Sequence, residues 1–210
     1  MSVFRAIGTD RLRVTTDGEG VTTLVAGCGC PLRCAYCLNP QCFAPDFCAQ
    51  TFTPQELYEQ VKKDAVYFVA TGGGLTFGGG EPLLQTEFIA AFREIADRDW
   101  RFTAETCLNV PRQTARRALA LFDRFIIDIK DMDPGIYRRY TGRDNAQVKE
   151  NLALFAAAGR AADCTVRLPL IPGYNTGADR ERSRRELEAM GFSRFDPFPY
   201  VVRKGKQGTA

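Results

Sequence analysis

The chain has 210 residues, 45% hydrophobic and 25% charged, with a net charge of +3. That is the composition of an ordinary globular domain, and so small a charge gives no argument for a nucleic-acid or membrane partner. Charges at Arg5, Asp10, Arg11 and Arg13 precede no apolar run of signal-peptide length, and no segment reaches the roughly 18 apolar residues of a spanning helix, so the expected setting is the cytoplasm with its reduced thiols.

In chain order, apolar runs at Val21–Ala26, Gly74–Gly78, Phe102–Cys107, Phe125–Lys130, Cys164–Ile171 and Ser193–Pro199 read as strands. Helical patterns lie between them. Thr53-Pro54-Gln55-Glu56 is a capping box with proline at the first helical position, followed by Leu57, Val61 and Ala65 at four-residue spacing. Asp133-Pro134 opens a helix with Ile136, Tyr137 and Tyr140 on one side. Val148, Leu152 and Phe155 line another, ended by Gly159 in a left-handed C-cap. The arginine-rich stretch before Gly191 reads as a solvated helix. Alternating strands and helices argue for a parallel sheet with helices outside, and six such units fall short of a complete eight-fold barrel. The expected fold class is α/β, a partial (β/α)6 TIM-like barrel. Residues 1–202 form one domain in this reading and 203–210 a flexible tail.

Four of the eight cysteines fall between Cys28 and Cys37, in a chain without histidine. A reducing compartment disfavours disulfides. Tetrahedral zinc wants four ligands, commonly in two separated knuckles or with histidine, and no second knuckle exists. Cys30, Cys34 and Cys37, spaced C-x3-C-x2-C just after the first strand, can instead hold three corners of a cubane iron–sulfur cluster and leave one iron open. Cys28, Cys42 or Cys48 could supply a fourth ligand and turn the centre into an electron carrier.

The stretch TGGGLTFGGGEP carries six glycines but lacks the Gly-Lys-Ser/Thr of a phosphate loop. Its glycines allow close backbone approach to a ligand, with carbonyls free to accept from an ammonium group. Strand alternation puts Asp128 and Lys130 on one face, opposite Ile127 and Ile129. The pair points toward the mouth where parallel-sheet ligands bind, unless it only forms an internal ion pair. Arg167 shares a face with Thr165 and Pro169. It needs an anion, which a ligand carboxylate, Glu105 or Asp128 could supply.

C-x3-C-x2-C with an aromatic residue before the last cysteine, here Tyr36, resembles the signature of the radical S-adenosylmethionine superfamily. The segments LTFGGGEPLLQ, AETCLN, IIDIKDMD, YRRYTGRDN, VKENLALF and VRLPLIPGYN follow in the order found in the glycyl-radical-enzyme activating enzymes. That resemblance covers roughly residues 8–202. It implies a [4Fe-4S] cluster on Cys30, Cys34 and Cys37 whose open iron chelates S-adenosylmethionine, and reductive cleavage to a 5'-deoxyadenosyl radical. It further implies cofactor contacts from Tyr36, Gly79, Gly80, Glu81, Glu105, Asp128, Lys130 and Arg167. Glu81 either adds charge or holds its loop, and Cys107 and Cys164 are expected to be buried apolar fillers.

By the same resemblance the chain is an anaerobic oxidoreductase. It takes hydrogen from a glycine of a glycyl radical enzyme, receives its electron from a donor such as flavodoxin or ferredoxin, and works as a monomer. A related possibility keeps the radical chemistry on a small molecule or peptide, as in 7-carboxy-7-deazaguanine synthase. Relatives often carry histidine where this chain has Leu38 and Val201, and a final helix beyond the last strand. No second cysteine-rich insert separates Cys37 from the glycine loop, so one cluster is expected.

Overall fold

The six predicted strands are parallel neighbours in the computed structural model, which describes residues 2–14, 16–44 and 49–202. They are β2 (Thr22–Gly27), β4 (Gly74–Gly79), β5 (Arg101–Thr106), β6 (Arg124–Asp128), β7 (Cys164–Leu170) and β8 (Arg194–Pro199). Two strands that the sequence pattern did not announce extend the sheet. The strand β1 (Phe4–Arg13) lies antiparallel to β2, and β3 (Gln50–Phe52) pairs antiparallel with β1. The order is β3-β1-β2-β4-β5-β6-β7-β8, with β3 and β8 at its two ends. Cys48 and residues 203–210 lie outside the described residues.

Helices return the chain between parallel strands: α1 (Pro54–Val61) and α2 (Ala65–Thr71) before β4, α3 (Thr86–Ile95) before β5, and α4 (Arg112–Leu121) before β6. Then α5 (Pro134–Thr141) and α6 (Ala146–Ala157) precede β7, and α7 (Gly177–Ala189) precedes β8. The Thr53 capping box forms as expected, with Thr53 Oγ1 accepting from Glu56 N and Glu56 Oε2 from Thr53 N. The helix it opens stops at Val61, short of Ala65. Asp64 interrupts it because its carboxylate turns inward, accepting from Arg11 Nε at 2.9 Å and Thr23 Oγ1 at 2.9 Å.

Arg11's hydrogen bond holds the Asp64 carboxyl below the usual carboxylate range, against its desolvation. A depressed folded pKa contributes stability that is present above the unfolded value and is lost as pH falls through the folded one. Asp64→Asn should therefore cost about 1–3 kcal/mol at neutral pH, with the gap from the parent closing below pH about 4. Urea unfolding at both pH values checks this.

Alternation along the strands sorts side chains onto two faces. Leu75, Phe77, Phe102, Ala104, Phe125, Ile127 and Val166, all at most 1% exposed, pack under the helices. Phe77 alone meets the rings of Phe4, Phe92, Phe102 and Phe122 at 5.6–6.2 Å. The opposite face carries Thr76, Thr103, Glu105, Asp128, Thr165 and Arg167, so that face of the sheet is largely polar. Its lower end, at the strands' N-termini, is filled by residues 16–19 from the β1–β2 connection, where the Thr76 hydroxyl donates to the Asp17 carbonyl. Polar groups are left to face the opposite end. Among the described residues, no helix is long and apolar enough to cross a membrane.

Candidate active site

The cysteine loop leaves the carboxyl end of β2 and is tied to three neighbours. Leu32, 1% exposed, anchors it in the core. Arg33 N donates to the Thr141 carbonyl at 2.8 Å and Ala35 N to the Tyr140 carbonyl at 2.9 Å, fixing the loop to the end of α5. On its other side Gly80 N donates to Gly27 O at 2.9 Å and Glu81 N to Gly29 O at 2.8 Å. A Cβ on Gly80 would stand 2.1 Å from Gly29 O, and Gly79 has φ +86° against Ala26, so neither position tolerates a side chain. The glycines thus let the cysteine loop and the glycine loop lie backbone to backbone. The Gly79 carbonyl, a candidate acceptor for a ligand ammonium, accepts from Asn39 Nδ2 at 3.0 Å.

Glu81 turns out to be a loop holder. Only 1% exposed, it accepts from Leu83 N at 3.1 Å, Thr106 Oγ1 at 2.7 Å, Cys107 N at 2.9 Å and Cys107 Sγ at 3.0 Å. Burial pushes its carboxyl up, and these donors only partly offset that. Cys107 is therefore not the apolar filler expected from a strand position. The strand β5 ends at Thr106, and the Cys107 thiol reaches both Glu81 and Cys30. Cys164 is buried, as expected, with its thiol donating to Arg160 O at 3.2 Å.

Cys30, Cys34 and Cys37 are free, partly exposed thiols in one turn. Burial pushes the Cys34 thiol up to about 12 and raises that of Cys37. The Cys107 thiol holds Cys30 below its usual range, against burial. Among the described residues, no three or more histidine, cysteine, aspartate or glutamate side chains converge to hold a single metal ion. A cubane distributes its thiolates over separate irons, so its ligands need not converge, and an all-sulfur donor set suits iron–sulfur chemistry. Cys42 is buried with its thiol toward Gly27 O at 3.6 Å, and Cys28 lies beside it.

At the same end of the sheet, Ile129 N turns back to Ile127 O at 3.2 Å, so β6 stops at Asp128 and Lys130 lies beyond the strand. The Lys130 ammonium still pairs with Asp128 Oδ2, both side chains being largely buried. Burial alone would lower the lysine pKa more than any one neighbour raises it, but Asp128 together with the Cys34 thiol and the Tyr140 phenol outweighs it and holds the ammonium well above its usual value. The internal ion pair foreseen for these residues forms, yet it is incomplete: Asp128 Oδ1 is buried without a hydrogen-bond partner. A buried acceptor left open in a ligand-free chain fits a site that completes itself on a ligand. Tyr36 packs edge-on against Tyr174 at 5.6 Å and Tyr140 at 6.1 Å, and its carbonyl accepts from the Tyr200 hydroxyl.

Arg167, the register neighbour of Asp128, and Glu105 meet each other. Arg167 pairs with Glu105, donates to the Thr16 carbonyl at 2.5 Å, and stands 3.6 Å from Asp196. Of the two protein carboxylates named for it, Glu105 is the one it pairs with. Its side chain reaches toward the strand N-termini and lines a cavity of about 170 Å³ with Glu19, Arg124 and Arg194. The structure therefore gathers Tyr36, Gly79, Gly80, Asp128 and Lys130 about the cysteine loop, and sets Glu105 and Arg167 as the floor beneath. Sequence reasoning missed Tyr140, Tyr174 and Tyr200. Their signal was aromatic residues recurring in the segments YRRYTG, PGYN and FPY.

The profile of the Radical SAM superfamily matches residues 24–185. The chain is 29% identical to the (2S)-3-sulfopropanediol dehydratase activating enzyme of Klebsiella oxytoca, the match covering 76% of this chain and 69% of that one. It is 31% identical to the pyruvate formate-lyase-activating enzyme of Staphylococcus aureus strain USA300, over 79% and 68% respectively. Among solved structures, SuiB of Streptococcus suis shares the fold with a TM-score of 0.68 at 12% identity, covering 89% of this chain but only 41% of SuiB. The chain belongs to the radical S-adenosylmethionine superfamily and, within it, to the glycyl-radical-enzyme activating enzymes.

Proposed function

We propose that this protein activates a glycyl radical enzyme. Membership of the superfamily brings an iron–sulfur cluster and S-adenosylmethionine, and we assign a [4Fe-4S] cluster to Cys30, Cys34 and Cys37. When bound, the reduced cluster and S-adenosylmethionine supply a carbon radical able to take hydrogen from a glycine Cα of the partner protein. The observation that carries this reading is the placement of three thiols in one braced turn beside the half-satisfied Asp128–Lys130 pair.

The residues of the chain divide the work. Gly79 and Gly80 keep the cofactor-side backbone close to the cysteine loop, and Glu81 locks that backbone through its four hydrogen bonds. Asp128 offers its open oxygen to a donor on the cofactor, while Lys130 neutralises the carboxylate and any ligand anion. Tyr36 presents its ring from within the cysteine motif. Glu105 and Arg167 close the floor and shield the site from the lower cavity. Residues 1–202 act as one domain, a monomer in the cytoplasm, reduced by flavodoxin or ferredoxin.

The test is anaerobic mixing of the reconstituted, reduced protein with S-adenosylmethionine and each glycyl radical enzyme for which its relatives are named. A glycyl doublet in electron spin resonance, with deoxyadenosine formed in step, is the expected result. Deoxyadenosine without a glycyl radical on any partner would count against activation and favour a small-molecule or peptide substrate.

A further inference from the structure

Tyr140 is buried to 1% exposure near the end of α5, and its hydroxyl has no hydrogen-bond partner. The residues around it are better served. The Tyr137 hydroxyl accepts from Asn109 Nδ2 at 3.2 Å, and the Tyr200 hydroxyl donates to the Tyr36 carbonyl, its oxygen near enough to interact with Tyr140 but outside hydrogen-bond geometry. Phenylalanine would fill the same space without leaving a buried hydroxyl unmade, so the phenol lowers the stability of the ligand-free fold.

Its surroundings are those of the cofactor site. The Tyr140 carbonyl accepts from Ala35 N inside the cysteine motif. Its ring packs at 5.0 Å from Tyr174 and 6.1 Å from Tyr36. The Lys130 ammonium is near enough to interact with it, and Lys130 is the partner of Asp128, whose Oδ1 is likewise buried and unpartnered. Two orphaned oxygens therefore lie in the neighbourhood of one ammonium, one an acceptor and the other able to donate. A ligand with both donors and acceptors completes both.

We propose that Tyr140 is a further binding residue for S-adenosylmethionine, its hydroxyl donating to an acceptor of the cofactor beside Lys130. This rests on the cofactor assignment above. The phenol is held in place by α5 and by the cysteine loop, so it is ready before the ligand arrives and need not be ordered on binding.

The test compares Tyr140→Phe with the parent protein and with Tyr137→Phe as a control for a satisfied hydroxyl. In the cluster-free protein, Tyr140→Phe should melt at the same temperature as the parent or higher, while Tyr137→Phe should melt lower. In the reconstituted, unreduced protein, Tyr140→Phe should bind S-adenosylmethionine about 3–10-fold more weakly, the effect of one lost hydrogen bond, and Tyr137→Phe should bind it unchanged. Equal affinity in Tyr140→Phe, or weaker affinity accompanied by a lower melting temperature and lost iron, overturns the role. A parent protein that binds no S-adenosylmethionine at all overturns the cofactor assignment as well, which separates the two failures.

Discussion

Alanine at Cys30, Cys34 or Cys37 should each yield a folded protein that reconstitutes with little or no iron and forms deoxyadenosine only at background level. The three positions are partly exposed thiols on a loop whose backbone is held independently by α5 and by Gly27 and Gly29. Losing one thiol therefore removes a ligand without removing the support of the turn. Alanine at Cys164, which is buried in β7 at the far end of the strand, should leave iron content near that of the parent. Iron and sulfide analysis with product chromatography decides the matter. Full cleavage by any one of the three loop variants would contradict the assignment of that residue.

The second large effect is expected from Lys130→Met. The ammonium is the charge partner of Asp128, and both side chains are mostly buried. Removing one member of such a pair leaves an uncompensated charge, which costs about 2–4 kcal/mol here, at the lower side of the usual range because some solvent reaches Asp128. For a chain of this size that is roughly 5–15 °C in melting temperature. Cofactor cleavage should fall about 100-fold or more, as when a preorganised donor is lost. The double variant Lys130→Met, Asp128→Leu should recover much of the stability but none of the activity. Recovery of both would make the pair a structural feature only.

The six parallel strands and their helices were legible because each repeats a clear apolar pattern with turn signals between. The strand β1 was not. Only Phe4 and Ala6 alternate inward, Gly8 and two register shifts break its period, and Asp10, Arg11 and Leu12 are exposed. A charged strand beside the sheet edge carries too little apolar signal to be read. At the site, motif spacing located the cysteines and glycines, since their chemistry depends on backbone proximity along the chain. Partners across strands were harder. Alternation put Arg167 on the correct face, but the choice of Glu105 depends on register between β5 and β7, two strands apart. Lys130 reached the right neighbour for a reason alternation does not contain, the tight turn at Ile129. Tyr140 and Tyr200 stayed hidden because an aromatic residue in a helix or at a strand end reads first as core.

One measurement bears most directly on the account: Mössbauer spectroscopy of the anaerobically reconstituted, iron-enriched protein before and after S-adenosylmethionine is added. A cubane held by three thiolates should show one iron site whose signal changes on addition while the others do not. A spectrum unmoved by the cofactor, or one from four equivalent sulfur-ligated irons, would contradict it.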